Sequence, residues 1–469
     1  MPLSVSSVGP LFSVAATGGV MAAAAGWWTL PAIAVLAIPF VISSLVFRLL
    51  NRYFPQAGAS YHWSARVIGR GASRYQAWIL ILAYFISIPP IAIPAASYTL
   101  SLLAPHAHPT AAAQLAVSLF WLAFAAVPLL GGGRPTARIT QFFLAVEVVS
   151  VGALATLGVL NWQRLHVPVH FGPMPVGGML VVAVVAATIL DGWEIDSYAS
   201  EESRRPRSDP GRGGIIGALL AVAFYAVLYP LMLGETPLSR LANATNPLAV
   251  WGARLIPGAP WVILVPVLAS TAGGLWLTTF ILTRALYAMG REGVLPAAFA
   301  RLSRRRVPHV AIMASLAAAL AVTAAQALFS SLGAFFDLVL SAAGFFLLAE
   351  FFLDAVTATV FLGFARRRAA SGGMPLPPGH RLLGAAAALS SVVMGALLVA
   401  FFVYGPVAIG RGIDQVLAVL LLLGVVFAWL TRGARPAFVF HGNDGEPHRS
   451  RRRGATAAGR DLLPAAPED

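Results

Sequence analysis

Apolar residues in this chain neither alternate nor recur at helical intervals; they run on. Stretches at 180–190, 219–233 and 416–430 are apolar on every side and stand between short clusters of arginine. A helix that is apolar all round is buried in protein or lipid. With its flanks, each stretch approaches the ~20 residues that cross ~30 Å of hydrocarbon while satisfying every backbone polar group internally. The pattern predicts spans at roughly 4–25, 28–50, 75–103, 112–130, 138–160, 176–198, 213–234, 261–288, 309–329, 334–365, 383–405 and 413–431. Apolar segments follow one another from the start, so no cleaved leader is expected.

Four spans are interrupted or charged where lipid forbids it without a reason. The first holds Val8-Gly9-Pro10 and then Gly18-Gly19, the sixth Leu190-Asp191-Gly192-Trp193-Glu194, the eighth Gly273-Gly274, and the tenth Glu350 and Asp354. Breaks in spans one and six, five helices apart, suggest one five-helix unit used twice. Paired discontinuous helices free backbone N–H and C=O groups for a solute near mid-membrane.

Composition agrees. Of 469 residues 58% are hydrophobic and 11% charged, against about 25% charged in soluble domains. Cysteine is absent, which excludes disulfides, thiolate catalysis and cysteine-bound metal. Lysine is absent too, so no Walker-type phosphate loop exists and all 32 basic residues are arginine. The net charge of +14 would suggest nucleic acid in a soluble protein. Here only Arg164, Arg240, Arg254 and Arg411 fall on one side of the predicted spans, leaving 28 of the 32 on the other. That is the positive-inside pattern, so no nucleic-acid partner is expected; the partners are the lipid bilayer and a small solute. Both termini are expected in the cytoplasm of a bacterial inner membrane. Trp27, Trp28, Trp162, Trp251 and Trp261 fall at span ends as interfacial anchors. The nine histidines lie in loops or at span ends, which argues against a metal-dependent membrane-embedded enzyme, and no cofactor is expected. A channel and a transporter-like sensor stand as rivals to a carrier.

Three stretches resemble the amino acid–polyamine–organocation superfamily, in its bacterial amino-acid permease form. Arg52-Tyr53-Phe54-Pro55-Gln56-Ala57-Gly58-Ala59-Ser60-Tyr61-His62-Trp63, then Ile68-Gly69, is similar to the family's P-x-A-G-G-S-Y-x-W … G segment. Gly192-Trp193-Glu194 with Glu201-Glu202 and Pro206-Arg207 is similar to G-x-E … E-E … N-P-R. Arg284-Ala285-Leu286-Tyr287-Ala288-Met289-Gly290-Arg291-Glu292-Gly293-Val294-Leu295-Pro296 is similar to R-x-x-Y-A-x-x-R-D-G-x-L-P. The resemblance implies an all-α, LeuT-like fold of about 12 transmembrane helices. Residues 1–160 would form the first five-helix repeat, 161–368 the inverted second, 369–434 two added helices and 435–469 a disordered cytoplasmic tail. It also implies a secondary transporter of an amino acid or related amine-bearing metabolite, coupled to protons or to exchange; a polyamine or cationic-amine carrier is the alternative. Span one lacks the family's G-x-G-I, and span ten carries two acids where the family usually has none.

Candidate residues follow. Backbone around Val8, Gly9 and Pro10, with the Ser13 hydroxyl, is expected to hold a substrate carboxylate, since a helix N-terminus offers free N–H groups; an ordinary proline kink is the plain reading. Leu190 and Gly192 carbonyls, with Asp191, are expected at the ammonium, though Asp191 reads equally as a structural aspartate. Trp193 is expected as a lid, and Tyr84, Phe85, Trp276 and Phe345 as cavity walls or general packing. The resemblance makes Glu194 a coupling or gating residue; Glu147 is a further intramembrane acid. Glu350 and Asp354, four apart on one helical face, cannot both ionise cheaply in a low dielectric, so one is expected to hold a proton. Glu201 and Glu202 are expected to pair locally with Arg204, Arg205 and Arg207 as a gate.

Overall fold

The computed structural model describes residues 3–4, 7–105, 109–168, 170–329, 331–364, 375–408, 410, 412–433, 438–440 and 447–449. The arginines at 366–368, Arg411 and most of the tail from 435 lie outside them; the strands Phe438–Phe440 and Pro447–Arg449 pair antiparallel.

Each of the twelve expected spans has a helical counterpart among the described residues. Ten stretches are long and apolar enough to cross a bilayer. The first of these, Pro10–Tyr53, is two helices divided at Gly26, and the shorter Val176–Ile189 supplies the remaining crossing. In order, span one is Pro10–Ala25, span two Thr29–Tyr53, span three Arg70–Ile86 continued by Pro89–Leu103, span four Ala111–Gly131 and span five Gly133–Leu160. Span six is Val176–Ile189 with Ile195–Tyr198 beyond a break; span seven is Asp209–Glu235, span eight Trp261–Arg291, span nine His309–Ala324 and span ten Leu332–Gly363. Spans eleven and twelve are His380–Ala408 and Ile413–Leu430. Each lies within a few residues of its expected place, because a bilayer sets helix length more tightly than any soluble environment does.

Burial separates core from periphery. In the most apolar window of span three 83% of residues are buried, and in span eight 72%, against 17% in span twelve. Span twelve and its neighbours therefore present Val419, Leu422 and Val425 outward, where lipid replaces protein as the apolar partner. Spans one, six and ten are pressed together through small residues, as membrane helices without a hydrophobic drive between them require. A Cβ on Gly178 of span six would stand 1.9 Å from the Ala24 carbonyl oxygen of span one, and one on Gly344 of span ten 2.2 Å from that of Val184 in span six.

Two short helices, Leu238–Ala242 and Pro247–Leu255, follow span seven and pack on span one. Another, Ala59–Val67, lies between spans two and three and packs on spans three and ten. Trp251 corrects the expected tryptophan belt: it is fully buried and donates from Nε1 to Glu235 at 2.6 Å. Its short helix folds back onto the bundle, so the ring never reaches the interface. Trp162 and Trp261 remain exposed at their span ends.

Candidate functional site

Both expected interruptions exist, and they touch. Gly9 adopts φ +51°, ψ +50°, a left-handed geometry that glycine enters without a Cβ penalty. Pro10 then opens span one, its missing N–H costing nothing at a first helical position. Span six stops at Ile189, turns through Gly192 at φ +93°, and resumes at Ile195. A Cβ on Gly192 would lie 2.5 Å from the Ser7 carbonyl oxygen, so the two unwound segments are in backbone contact. Gly192→Ala should force them apart and strain the turn as well. The expected outcome is a melting temperature lower by several degrees and loss of ligand binding, read by thermal unfolding with and without solute.

Around that contact lies a cavity. Its wall includes Ser7, Val8, Gly9, Phe12, Ser13, Ala16 and Thr17 from span one, and Thr188, Ile189 and Asp191 from span six. Span three adds Ser87, Pro90 and Ile91, span eight Gly274 and Thr278, and span ten Leu340, Ala343 and Leu347. Asp191 is the one acid in this wall, and no basic residue is among the lining. The hydroxyls of Thr17, Ser87 and Thr188 donate to carbonyl oxygens of their own helices, at 2.6, 2.6 and 2.7 Å. What these three offer the cavity is lone pairs.

Of the expected binding residues, Val8, Gly9, Ser13 and Asp191 line the cavity. Pro10, Leu190 and Gly192 shape the breaks without lining it. Three N–H groups at the expected anion site of span one have partners within the protein. Pro10 has no N–H; the Leu11 N–H donates to Glu147 Oε1 at 3.2 Å and the Phe12 N–H to Ser270 Oγ at 3.1 Å, while Ser270 itself donates to the same Glu147 oxygen. The next N–H, of Ser13, is already bonded to the Gly9 carbonyl at 2.9 Å. The N–H groups of Leu11, Phe12 and Ser13 are thus taken by the protein's own oxygens.

The aromatic walls are corrected too. Trp193 is fully buried and stacked on Phe351 at 5.5 Å, edge-on to Phe47, its Nε1 bonded to the Leu190 carbonyl; a ring held on every side cannot act as a lid. Trp276 faces spans four and five, against Phe143 and Phe124, and donates to Thr140. Phe345 packs against Phe346 and Phe401 of span eleven. Phe85 is half-buried outside the lining. For Trp276, Phe345 and Phe85, which lie on helices, helical phase turned the ring away from the cavity.

Tyr84 belongs to a different assembly. Its hydroxyl donates to Glu194 at 3.0 Å and reaches Glu350 at 3.4 Å. Tyr198 donates to Glu350, Ser60 to Asp354 at 2.7 Å, and Gln76 Nε2 to Asp354 at 2.8 Å. Glu194, Glu350 and Asp354 thus share one buried hydrogen-bonded cluster built from spans three, six and ten and from Ala59–Val67. Glu350 and Asp354 follow Leu347 of the cavity wall by about 5 and 10 Å of helix rise. Sequence reasoning missed Ser60, Gln76 and Tyr198, and also Thr17 and Thr188 in the wall. The i, i+4 spacing of Ser13 and Thr17 was a signal that could have found the latter.

The model of the amino acid permease family matches residues 3–435 of the chain. The chain belongs to the amino acid permease family. Among curated relatives, the "Branched-chain amino acid permease BcaP" of Lactococcus lactis is 26% identical over 298 residues, and its Bacillus subtilis namesake 22% over 303. Each match covers 59% of this chain and 63% of the relative, so the chain aligns with less than two thirds of these proteins' length. "Cationic amino acid transporter 3, mitochondrial" of Arabidopsis thaliana is 24% identical over 288 residues, 58% of this chain and 47% of that one. Membership makes the chain a multi-pass membrane protein with the family's LeuT-like fold.

In this family member the acid pair after span six reaches across to span eight. Arg291 grips Glu201 with two nitrogens at 2.7 and 2.8 Å, and Arg284 Nε meets Glu202 at 3.1 Å. His62 Nδ1 lies 2.9 Å from Glu292. Burial alone would raise the Glu201 carboxyl, but the Arg291 hydrogen bonds and charge, and the Ala57 N–H, outweigh it and hold it below the usual carboxylate range. A depressed folded value stabilises the folded state above the ordinary value of about 4.3, and that contribution fades as pH falls through the folded one. Glu201→Gln should therefore melt below wild type at neutral pH, the gap closing as pH drops below about 4. A constant gap across pH would show that the ion pair is not its source.

Proposed function

We propose that the chain is a secondary transporter that moves an amino acid or a related amine-bearing metabolite across the bilayer by alternating access. One observation carries this reading. Two interrupted helices, spans one and six, meet around a cavity whose one acid is Asp191. Such a meeting places unwound backbone and a carboxylate where a solute can be held at mid-membrane. The relatives' names, a branched-chain amino acid permease and a cationic amino acid transporter, support an amine-bearing solute.

The arginine distribution supports a bacterial plasma-membrane setting with both termini cytoplasmic. On that reading, Glu201–Arg291 and Glu202–Arg284 tie span six to span eight at the cytoplasmic end, as a gate. The Glu194, Glu350 and Asp354 cluster stands between gate and cavity, where protons could enter the cycle. Driving by counter-substrate is the other coupling this architecture serves.

Purified protein reconstituted in proteoliposomes tests the reading. Uptake of a labelled amino acid and amine panel, with and without a pH gradient, should saturate and should exceed equilibration. Flux that never saturates would make the chain a channel. Binding without accumulation would make it a sensor.

A further inference from the structure

We propose that Glu147 is a specificity filter: it holds the place a substrate carboxylate would take at the start of span one, so the cavity admits an ammonium on a carboxylate-free body in preference to a zwitterion. The proposal rests on the transport reading above and narrows its substrate class.

An ammonium carries only donors; a carboxylate carries only acceptors. The wall is matched to the first. Asp191 supplies a charge for the ammonium, and Thr17, Ser87 and Thr188 turn lone pairs inward because their protons go to backbone. No arginine, lysine or histidine is among the lining residues. At span one, Pro10 removes a donor, Glu147 takes the Leu11 N–H, and Ser270 takes that of Phe12. Glu147 is itself buried and fixed from span five, held by spans one and eight. A zwitterion would have to displace one carboxylate while bringing another beside Asp191 and Glu147, and like charges in a low dielectric repel strongly. Phe12, Ile91, Leu340 and Leu347 leave an apolar lining for the rest of the molecule.

The test uses matched pairs that differ only by the carboxylate: L-alanine and ethylamine, L-leucine and isopentylamine, L-phenylalanine and phenethylamine. Affinities are measured by calorimetry on the full chain in detergent, and uptake in proteoliposomes. Wild type should bind the amine of the accepted pair at least tenfold more tightly than its amino acid. Glu147→Ala, which frees the Leu11 N–H, should shrink that preference at least fivefold. Glu147→Gln keeps an acceptor for that N–H and should shrink it less. An amino acid bound by wild type as tightly as its amine overturns the proposal, whether or not the alanine variant folds. If amino acids are also accumulated, the transport reading stands while the filter falls. If no member of any pair is bound or accumulated, both fall together.

Discussion

Proteoliposomes carrying Glu350→Gln together with Asp354→Asn are expected to accumulate substrate no further when a pH gradient is imposed than when it is not. The wild type, coupled one proton to one solute, would support up to about tenfold accumulation per pH unit, since one unit is worth about 1.4 kcal/mol. The expectation comes from where the pair lies. Both side chains are fully buried on one face of span ten. The groups facing them are Tyr84 and Gln76 from span three, Tyr198 and Glu194 from span six, and Ser60 from Ala59–Val67. None of these is a cation, so two negative charges one turn apart have nothing to offset them, and the pair is built to share a proton. Hydroxyls of Ser60, Tyr84 and Tyr198 join its members into one chain of hydrogen bonds that also reaches Glu194, a path along which a proton can be passed. Stability should move the other way. Removing uncompensated buried charge while keeping shape and an acceptor for Ser60 and Gln76 should leave the melting temperature unchanged or raise it. Gradient-driven accumulation that survives both replacements would take the pair out of the coupling mechanism.

What could be read from the residues alone divides along a physical line. Span positions follow from apolar length, and the breaks from glycine and proline, both local properties of the chain. Gly9-Pro10 and Gly192 were therefore visible, and so was the acid pair of span ten. The partners of these features were not. Glu147 meets Leu11 across 136 residues and Ser270 meets Phe12 across 258; no local pattern encodes which side chain will reach a helix terminus. Helical phase was the other loss. Trp276 and Phe345 stand at the right depth, yet each faces a neighbouring span, because a helix apolar all round gives no stripe from which to choose a face. The acid pair after span six shows both sides of the division. Glu201 and Glu202 were legible as ion-pairing acids, but their partners Arg284 and Arg291 sit seven residues apart on one face of span eight, the signal that the nearer arginines masked.

Asp191→Asn is expected to weaken binding of an ammonium-bearing solute by roughly 10²–10³-fold while leaving the melting temperature of the empty protein within a few degrees of wild type. A buried ion pair that loses one partner forfeits about 3–5 kcal/mol, because the remaining charge stays desolvated and unanswered. Here the remaining charge is the solute's, so the deficit appears as affinity. Asparagine preserves the size of the side chain and an oxygen for hydrogen bonding, and it leaves the turn at Gly192 and its contact with Ser7 untouched. The measurement therefore separates two roles that position alone does not. A structural aspartate, serving only to fasten the turn, would show its loss in the melting temperature and spare the affinity. An ammonium partner would do the reverse, and its loss should be larger for an amine than for an uncharged solute of the same shape, which has no charge for Asp191 to answer.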